Sequence, residues 1–543
     1  MHPSPRRTRV LFFVTAPQSS NGYSLVGYEL AKYFSKKNDI DLTIFGFQNF
    51  NSAATGNAIP NHRLDFPPNV QVFDAFANEN PKQAGFGVSL VKDFVATNRP
   101  DVVIVYNDML VLTSVIGQLH EVPDRKFKII AYIDQVYLCQ KKEYLNFVNQ
   151  KADVAMLFTP YWEECIKQQG ITIPTCNVPH GFNPMTHYPV AKHLARKFYG
   201  LRMEDFIILN LNRNQPRKRW DICLQAFAEV VTRLPNAPIK LLVATAVQGA
   251  WNLLEIFERE LIKRGSTLQE GMKHMILLDN PQQLSDEDVN FLYNVADIGV
   301  NTCDGEGFGL CNFQQAAIGI PQVVPHIGGF RDFFDENTAL LVEPAMTYYV
   351  DNSRDMVCGE AELCRYSDFA DAMIRYYENR DLMKQHGENG RKKIVSEYPW
   401  EKFGDKLYAI IKDTTKDLFS IAEADEEDDE VEVVADADDE DIDITTLQDM
   451  VKTVEPDAPK PTVQSPVQVP VSVPVPVAEP EVKVIKTKSA KKSGNSKDSA
   501  AKRLAKAKLK ENLKKHASGA NEAETILSLQ NKLQKLMAEK SQA

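Results

Sequence analysis

The sequence predicts an α/β protein made of two doubly wound parallel sheets facing each other across a cleft, with a C-terminal tail outside both. Three observations carry this. Across residues 1–184, short continuous apolar runs, the pattern of parallel strands buried on both faces, alternate with amphipathic segments. The same alternation restarts after Pro184 and continues to 398. Past Ser420 it stops, and acidic, Val/Pro-rich and lysine-rich blocks follow.

In order, a strand is expected at 10–14, a loop at 16–23 and a helix at 24–35, with Val26, Leu30 and Phe34 on one face. Further strands are expected at 41–47, 70–73, 101–106, 128–133, 154–158 and 175–178, with helices such as 89–97 and 143–150 between them. The second half reads as strands at 206–211, 239–245, 274–278, 296–300, 322–325 and 339–342. Its helices are expected at 220–234, 251–264, 286–294, 310–318, 366–377, 380–397 and 400–418. The domains are therefore drawn at 1–184 and 185–398, with a closing helix at 399–420 that packs back on the first domain. A tail at 421–520 has too little apolar surface to offset its ordering entropy and is expected to be disordered. Residues 521–543 hold one short amphipathic helix with Ile526, Leu529, Leu533 and Leu536 on a face.

With 543 residues, a net charge of −11 and 43% apolar residues, the chain can build two or three real cores, and its acidity argues against a general nucleic-acid binder. Eight cysteines form no C-x-x-C pair and no Cys/His ligand spacing, which points to free thiols in a reducing compartment rather than a disulfide framework or zinc site. The apolar run behind the basic N-terminus is too short for a signal peptide and reads as the first strand. No apolar stretch reaches the length of a membrane span, so a soluble cytoplasmic protein is expected. The lysine block at 483–515 is a solvated tail or, alternatively, a basic arm for an acidic partner such as RNA, acidic lipid or the acidic run itself.

The chemistry concentrates at 301–325. There an apolar strand spills into Asp304-Gly-Glu306-Gly307-Phe308-Gly309, and a helix opens at Leu310. Free amides of a first helical turn and its dipole favour an anion, and glycines let a ligand approach the backbone. Glu306 lies at the strand's carboxyl end, where open α/β sheets place ligands, although as a loop acid it could also cap the helix. A second cluster, Arg213-Asn-Gln-Pro-Arg217-Lys218-Arg219, follows the first strand of the second half and suits a diphosphate. The bland alternative is a basic helix start paired with surface acids. Gly22 closes the first βα turn, Asp134 ends a strand and could cap the next helix, and His180 lies at the crossover between the halves.

Glu306-Gly-Phe-Gly-Leu310, followed by Gln314, Ala317, Gly319, Pro321 and Val323-Val324, resembles the nucleotide-sugar signature of retaining glycosyltransferase family 4. Arg213 and Lys218 match the spacing of that family's G-R-x-x-x-x-K-G element, with Asn212 and Arg219 where its glycines stand. The resemblance covers residues 8 to 418 and implies two Rossmann-like domains in the GT-B arrangement. It implies sugar transfer from a nucleotide-sugar donor to an acceptor hydroxyl of a sugar, glycan, lipid or protein, with retention and without a metal or other cofactor. Glu306 would then accept hydroxyls of the donor sugar, with Gly307, Phe308, Gly309 and Leu310 around the same ring. Arg213 and Lys218 would hold the diphosphate, and Gly22 would lie near the phosphates and acceptor. Asp134 would face the transferred sugar, and His180, by its place at the crossover, is a candidate substrate-binding residue. Gln314 stands where the family has a second acid facing the ribose, which implies weaker recognition there. A silent nucleotide-sugar binder and a sugar-nucleotide epimerase are the alternatives on the same architecture.

Overall fold

The computed structural model describes residues 6–60, 62–79, 84–278, 281–351, 357–424 and 484–485. The first domain carries strands β1 (Thr8–Thr15), β2 (Ile40–Phe47), β3 (Gln71–Asp74), β4 (Val102–Asn107), β5 (Lys128–Ile133), β6 (Val154–Leu157) and β7 (Thr175–Asn177). They form one parallel sheet in the order β3-β2-β1-β4-β5-β6-β7. The second domain carries β8 (Phe206–Asn210), β9 (Ile239–Ala244), β10 (Met275–Leu278), β11 (Ile298–Val300), β12 (Gln322–Pro325) and β13 (Ala339–Val342). Its sheet runs β13-β12-β11-β8-β9-β10. In both sheets the strand order reverses beside the first strand, between β1 and β4 and between β8 and β11. Such switch points open a crevice at the strands' carboxyl ends.

The continuous apolar runs make sense because each sheet is covered on both sides. Leu11, Phe13, Val103 and Val105 point into one core, while Val10, Phe12, Val14 and Ile104 point into the other. The latter core continues across the cleft through Phe308, Phe313, Trp400, Phe403 and Leu407. The last helix, Trp400–Ala424, lies on the first domain's helix Gly22–Phe34. Gly404 meets the Tyr33 ring so closely that a Cβ would sit 2.4 Å from Tyr33 Cδ2. Asp39 takes the Tyr408 hydroxyl at 2.6 Å and the Lys412 ammonium at 2.7 Å, fixing this helix to the loop before β2.

Some elements differ from the reading of the sequence. The first helix begins at Gly22, because Asn21 caps it in a reciprocal box with Ser24, so Gly22 belongs to the helix and not to the turn before it. Helices Met109–His120, Pro160–Gln168 and Lys192–Tyr199 and the hairpin Met346–Val350/Gly359–Leu363 were not assigned. The last helix runs to Ala424, past the composition break at 420. Within the stretch expected to be disordered, Val484–Ile485 forms a two-residue parallel strand against the otherwise open edge of β10. The other expectations for the tail, at 425–483 and 486–543, lie outside the described residues. Among the described residues no helix is long and apolar enough to cross a membrane.

Candidate functional site

The site is built on the second sheet's switch point. The loop after β8 brings Arg213, Arg217 and Lys218, and the loop after β11 brings residues 301–309 to meet them. Lys218 and Glu306, both buried, form an ion pair. Arg217 approaches the other oxygen of Glu306 at 3.7 Å, and Asn301 Nδ2 donates to Oε2 at 3.5 Å. Burial alone would raise the Glu306 carboxyl. Lys218 and Arg217, with hydrogen bonds from Lys218 and Asn301, outweigh it and leave the group below the usual carboxylate range. Asn301 also donates to Asn312 Oδ1 at 2.9 Å, and Asn312 to Gln322 Oε1 at 2.8 Å, so a buried amide ladder ties this loop to the next helix and strand.

At two of the loop's glycines, Gly305 and Gly307, the first domain comes in, while Gly309 packs within the second. A Cβ on Gly307 would lie 2.1 Å from Asp134 Oδ1, and one on Gly305 would lie 2.3 Å from the Tyr137 ring. Gly309 has φ +89, conformationally favourable only for glycine, and would strike Phe330 at 2.2 Å. Trp162 of the first domain donates to the Gly307 carbonyl at 2.8 Å. Gly22 meets Leu310 across the cleft, a Cβ there lying 3.1 Å from Leu310 Cδ1. Asp304 draws the parts together: it accepts from Tyr137 at 3.3 Å, from Arg219 at 3.3 Å and from the Tyr348 hydroxyl of the hairpin. The same hairpin bridges to the first domain, with Glu360 N donating to Leu138 O at 2.7 Å and Leu138 N to Glu360 O at 3.1 Å.

Above the ion pair, Arg213 and Arg217 border a cavity of about 240 Å3 with Asp134, Asp108 and Tyr23 of the first domain. Asp134 accepts the Tyr23 hydroxyl. Desolvation raises the Asp134 carboxyl, against the Tyr23 hydrogen bond and the charge of Arg217. Asp108 caps helix Met109–His120 by accepting from Val111 N at 3.1 Å, and burial lifts it to about 6. Arg213 is exposed, and its guanidinium has no hydrogen-bond or ion-pair partner among the described residues, whereas its carbonyl accepts from Trp220 Nε1 at 3.3 Å. Arg219, by contrast, is committed to Asp221 at 2.7 Å and holds φ +46 at the position where the family pattern has glycine.

The structure thus gathers Glu306, Lys218, Arg213, Asp134, Gly22 and the Gly307–Leu310 turn into one region. It also decides two alternatives. Glu306 caps nothing, since helix Leu310–Ala317 starts from Gly309 with no side-chain cap, and the helix after Asp134 begins at Lys142. Gln314 is buried, with its Oε1 accepting from the Tyr293 hydroxyl at 3.0 Å. His180 stands apart from the cavity lining, enclosed by Tyr106, Tyr132, Phe158, Phe308 and Trp400. Arg217 and Asp108 were the residues missed. Arg217 lay in the recognised basic cluster but matched no motif position, and Asp108 followed an unassigned helix boundary whose Asn-Asp before an apolar run is itself a cap signal.

The packing of His180 has a measurable consequence. Burial pushes its imidazole down to about 3, below the ~6.5 of an unfolded histidine. Its contribution to stability is therefore complete above pH ~6.5 and is lost as pH falls toward the folded value. His180→Phe is expected to flatten the decline of the urea midpoint between pH ~6.5 and ~4. Superimposable profiles for the two proteins would contradict this.

Residues 205–354 match the family described as Glycosyl transferases group 1. The second domain belongs to that family. It is of the glycosyltransferase family 4 type, as the motifs between Arg213 and Val324 imply. Mannosylfructose-phosphate synthase of Agrobacterium fabrum is 24% identical to the chain over 245 residues, 44% of this chain and 47% of that protein. The chain thus spans about half, or less, of the length of the curated relatives it matches. Sucrose-phosphate synthase from Thermosynechococcus elongatus superposes with a TM-score of 0.57 at 17% identity, over 76% of this chain and all of that one. Anabaena HepE in complex with UDP and glucose superposes with a TM-score of 0.54 at 14% identity, over 75% and 100% of the two chains. The glycosyl transferase domain and its partner domain together have the GT-B fold.

Proposed function

We propose that the protein transfers a sugar from a nucleotide-sugar donor to an acceptor hydroxyl, with retention at the anomeric carbon. The observation that carries this reading is the buried Lys218–Glu306 pair beside Arg213 and Arg217, at a switch point that Asp134 of the other domain faces. The donor diphosphate takes Arg213 and Lys218, and Glu306, held ionised, accepts hydroxyls of the donor sugar. As the anomeric carbon–oxygen bond breaks, its electron pair passes to the diphosphate, whose growing charge these cations stabilise. The acceptor hydroxyl attacks from the same face and its proton goes to the departing phosphate oxygen. Asp134 fixes a sugar hydroxyl during this step. No metal or other cofactor enters the reading, and it places the protein in the cytoplasm.

One neighbour of this fold, Anabaena HepE, holds UDP and UDP-glucose in its complexes, which makes UDP-glucose the first donor to try, followed by GDP- and ADP-sugars. Nucleoside diphosphate release from this panel, measured with excess EDTA and with and without added sugars, tests the proposal. Release with one donor, abolished in Glu306→Gln, is the expected result. Binding without release would favour the silent binder, a reading that Gln314 in place of an acid supports. If Gln314 faces the ribose, Gln314→Glu is expected to tighten nucleotide binding by about 1 kcal/mol, because Tyr293 can donate to a carboxylate as it does to the amide. Unchanged affinity in a folded variant would count against that placement.

A further inference from the structure

Away from the ion pair and the cavity, one buried guanidinium joins the two domains. Arg63 lies in the first domain's loop between β2 and β3, with its side chain 3% exposed. On one side it grips the second domain. Its Nε donates to Asp286 Oδ2 at 3.0 Å and its Nη2 to Asp286 Oδ1 at 3.3 Å, a two-pronged bond to the first residue of helix Asp286–Val295. On the other side it enters the loop between β1 and helix Gly22–Phe34. There Nη1 shares its two protons among Pro17 O at 2.7 Å, Ser19 O at 3.0 Å and Ser24 Oγ at 3.0 Å. The guanidinium carbon also lies 5.2 Å from the centroid of the Tyr28 ring. All three nitrogens are thereby used. The Arg63 backbone sits at φ +48, a conformation that a residue other than glycine keeps only where its surroundings fix it.

The loop it enters carries two residues of the site. Ser24 Oγ accepts from Asn21 N at 3.1 Å as well as from Arg63, and it gives its single proton to Ser19 O at 2.6 Å. Asn21 Oδ1 in turn accepts from Ser24 N at 2.9 Å. Arg63 thus braces the capping box that starts the helix, and Gly22 and Tyr23 lie inside that box. Gly22 meets Leu310, and the Tyr23 hydroxyl is bound to Asp134. Neither Arg63 nor Asp286 lines the cavity. Without Asp286 the guanidinium would be a buried cation facing only neutral oxygens, which favours its withdrawal toward water. We propose that Arg63 is a positioning residue whose hold on this loop depends on Asp286. Through that one carboxylate the second domain sets the place of Gly22 and Tyr23 in the site. The consequence for catalysis rests on the transfer reading, whereas the hold on the loop does not.

Hydrogen exchange of the full chain, read by mass spectrometry, tests this without any substrate. Asp286→Ala leaves every first-domain residue in place and keeps the Ser285 cap and the Glu287 and Asp288 carboxylates of its own helix. The amides of Ser19, Asn21 and Ser24 are bonded within the loop to Ala16 O, Ser24 Oγ and Asn21 Oδ1, and are expected to exchange about tenfold faster or more. The amides of Leu138 and Glu360, which pair across the same two domains at the hairpin, are expected to change less than about twofold. Arg63→Met is expected to give the same pattern, and Asp286→Ala decides alone should that variant not fold. In the release assay Asp286→Ala should lose about tenfold or more in kcat, with KM for the donor within about threefold, because Arg213 and Lys218 are untouched. Unchanged exchange of the loop in Asp286→Ala would overturn the proposal, since Arg63 would then hold it alone. An equal rise at Leu138 and Glu360 would also overturn it, by making the pair a general fastening between the domains. So would a loosened loop with full turnover. If the wild type releases no diphosphate from any donor, the transfer reading falls, and the exchange pattern still decides whether Asp286 governs the loop.

Discussion

Lys218→Ala is expected to lower turnover by about a hundredfold or more, about 3 kcal/mol of transition-state stabilisation, with a smaller change in donor affinity. Charge on the bridging oxygen grows as the sugar leaves, so a cation beside it helps the transition state more than the bound donor. The same substitution leaves Glu306 buried with Arg217 at 3.7 Å as its remaining cation and the Asn301 amide at 3.5 Å, so a loss of stability is expected as well. Removing one partner of a buried pair costs ~3–5 kcal/mol, whereas replacing both by neutral groups is often close to neutral. The double variant Lys218→Met, Glu306→Gln is therefore expected to regain the melting temperature and not the turnover. Recovery of both together would make the pair structural. Arg217→Ala is no neutral control for this experiment, because Arg217 touches Glu306 and lines the cavity.

Gly307→Ala is the second large effect. The added methyl would lie 2.1 Å from Asp134 Oδ1 and 3.0 Å from the Phe158 ring, so either the domains part or Asp134 leaves its place against Tyr23. Overpacking of this kind costs ~1–3 kcal/mol, and at least tenfold of the activity should go with the displaced carboxylate. Adding Asp134→Ala removes the colliding oxygen and is expected to restore the melting temperature without the activity. If Gly307→Ala alone leaves the melting temperature and activity unchanged, the domains do not meet at this glycine in solution.

Both predictions use contacts of very different legibility in the sequence. The strands could be read because a parallel strand covered on both faces must be a continuous apolar run, as Val102–Asn107 and Lys128–Ile133 are. Helix Met109–His120 escaped the same logic, since Met109, Leu110, Val111, Leu112, Val115 and Ile116 are all buried and leave little polar face to mark a helical period. Glu306 and Lys218 were legible one at a time, through a glycine turn and a basic strand end, but nothing in their spacing said that they pair. The contacts across the cleft were not legible at all. Asp134 against Gly307, and Gly22 against Leu310, depend on which surfaces two separately folded sheets turn to each other, and local patterning carries no record of that. Gly22 shows the cost: its permissive backbone suggested a turn, whereas the close approach of Leu310 is what a larger residue there would disturb.

The central claim is that a nucleotide sugar is held by its diphosphate on Arg213 and Lys218. Calorimetric titration of the full chain and of Arg213→Ala with UDP-, GDP- and ADP-glucose tests it most directly. The Arg213 guanidinium has no hydrogen-bond or ion-pair partner to lose among the described residues, and the carbonyl that Trp220 and Gln215 use stays in Arg213→Ala, so the fold should be left intact. One donor is expected to bind at one site per chain and to weaken at least tenfold in Arg213→Ala, the loss of a charge-assisted contact to phosphate. Binding of equal strength in both proteins, or no binding of any of the three donors to the wild type, would contradict the account.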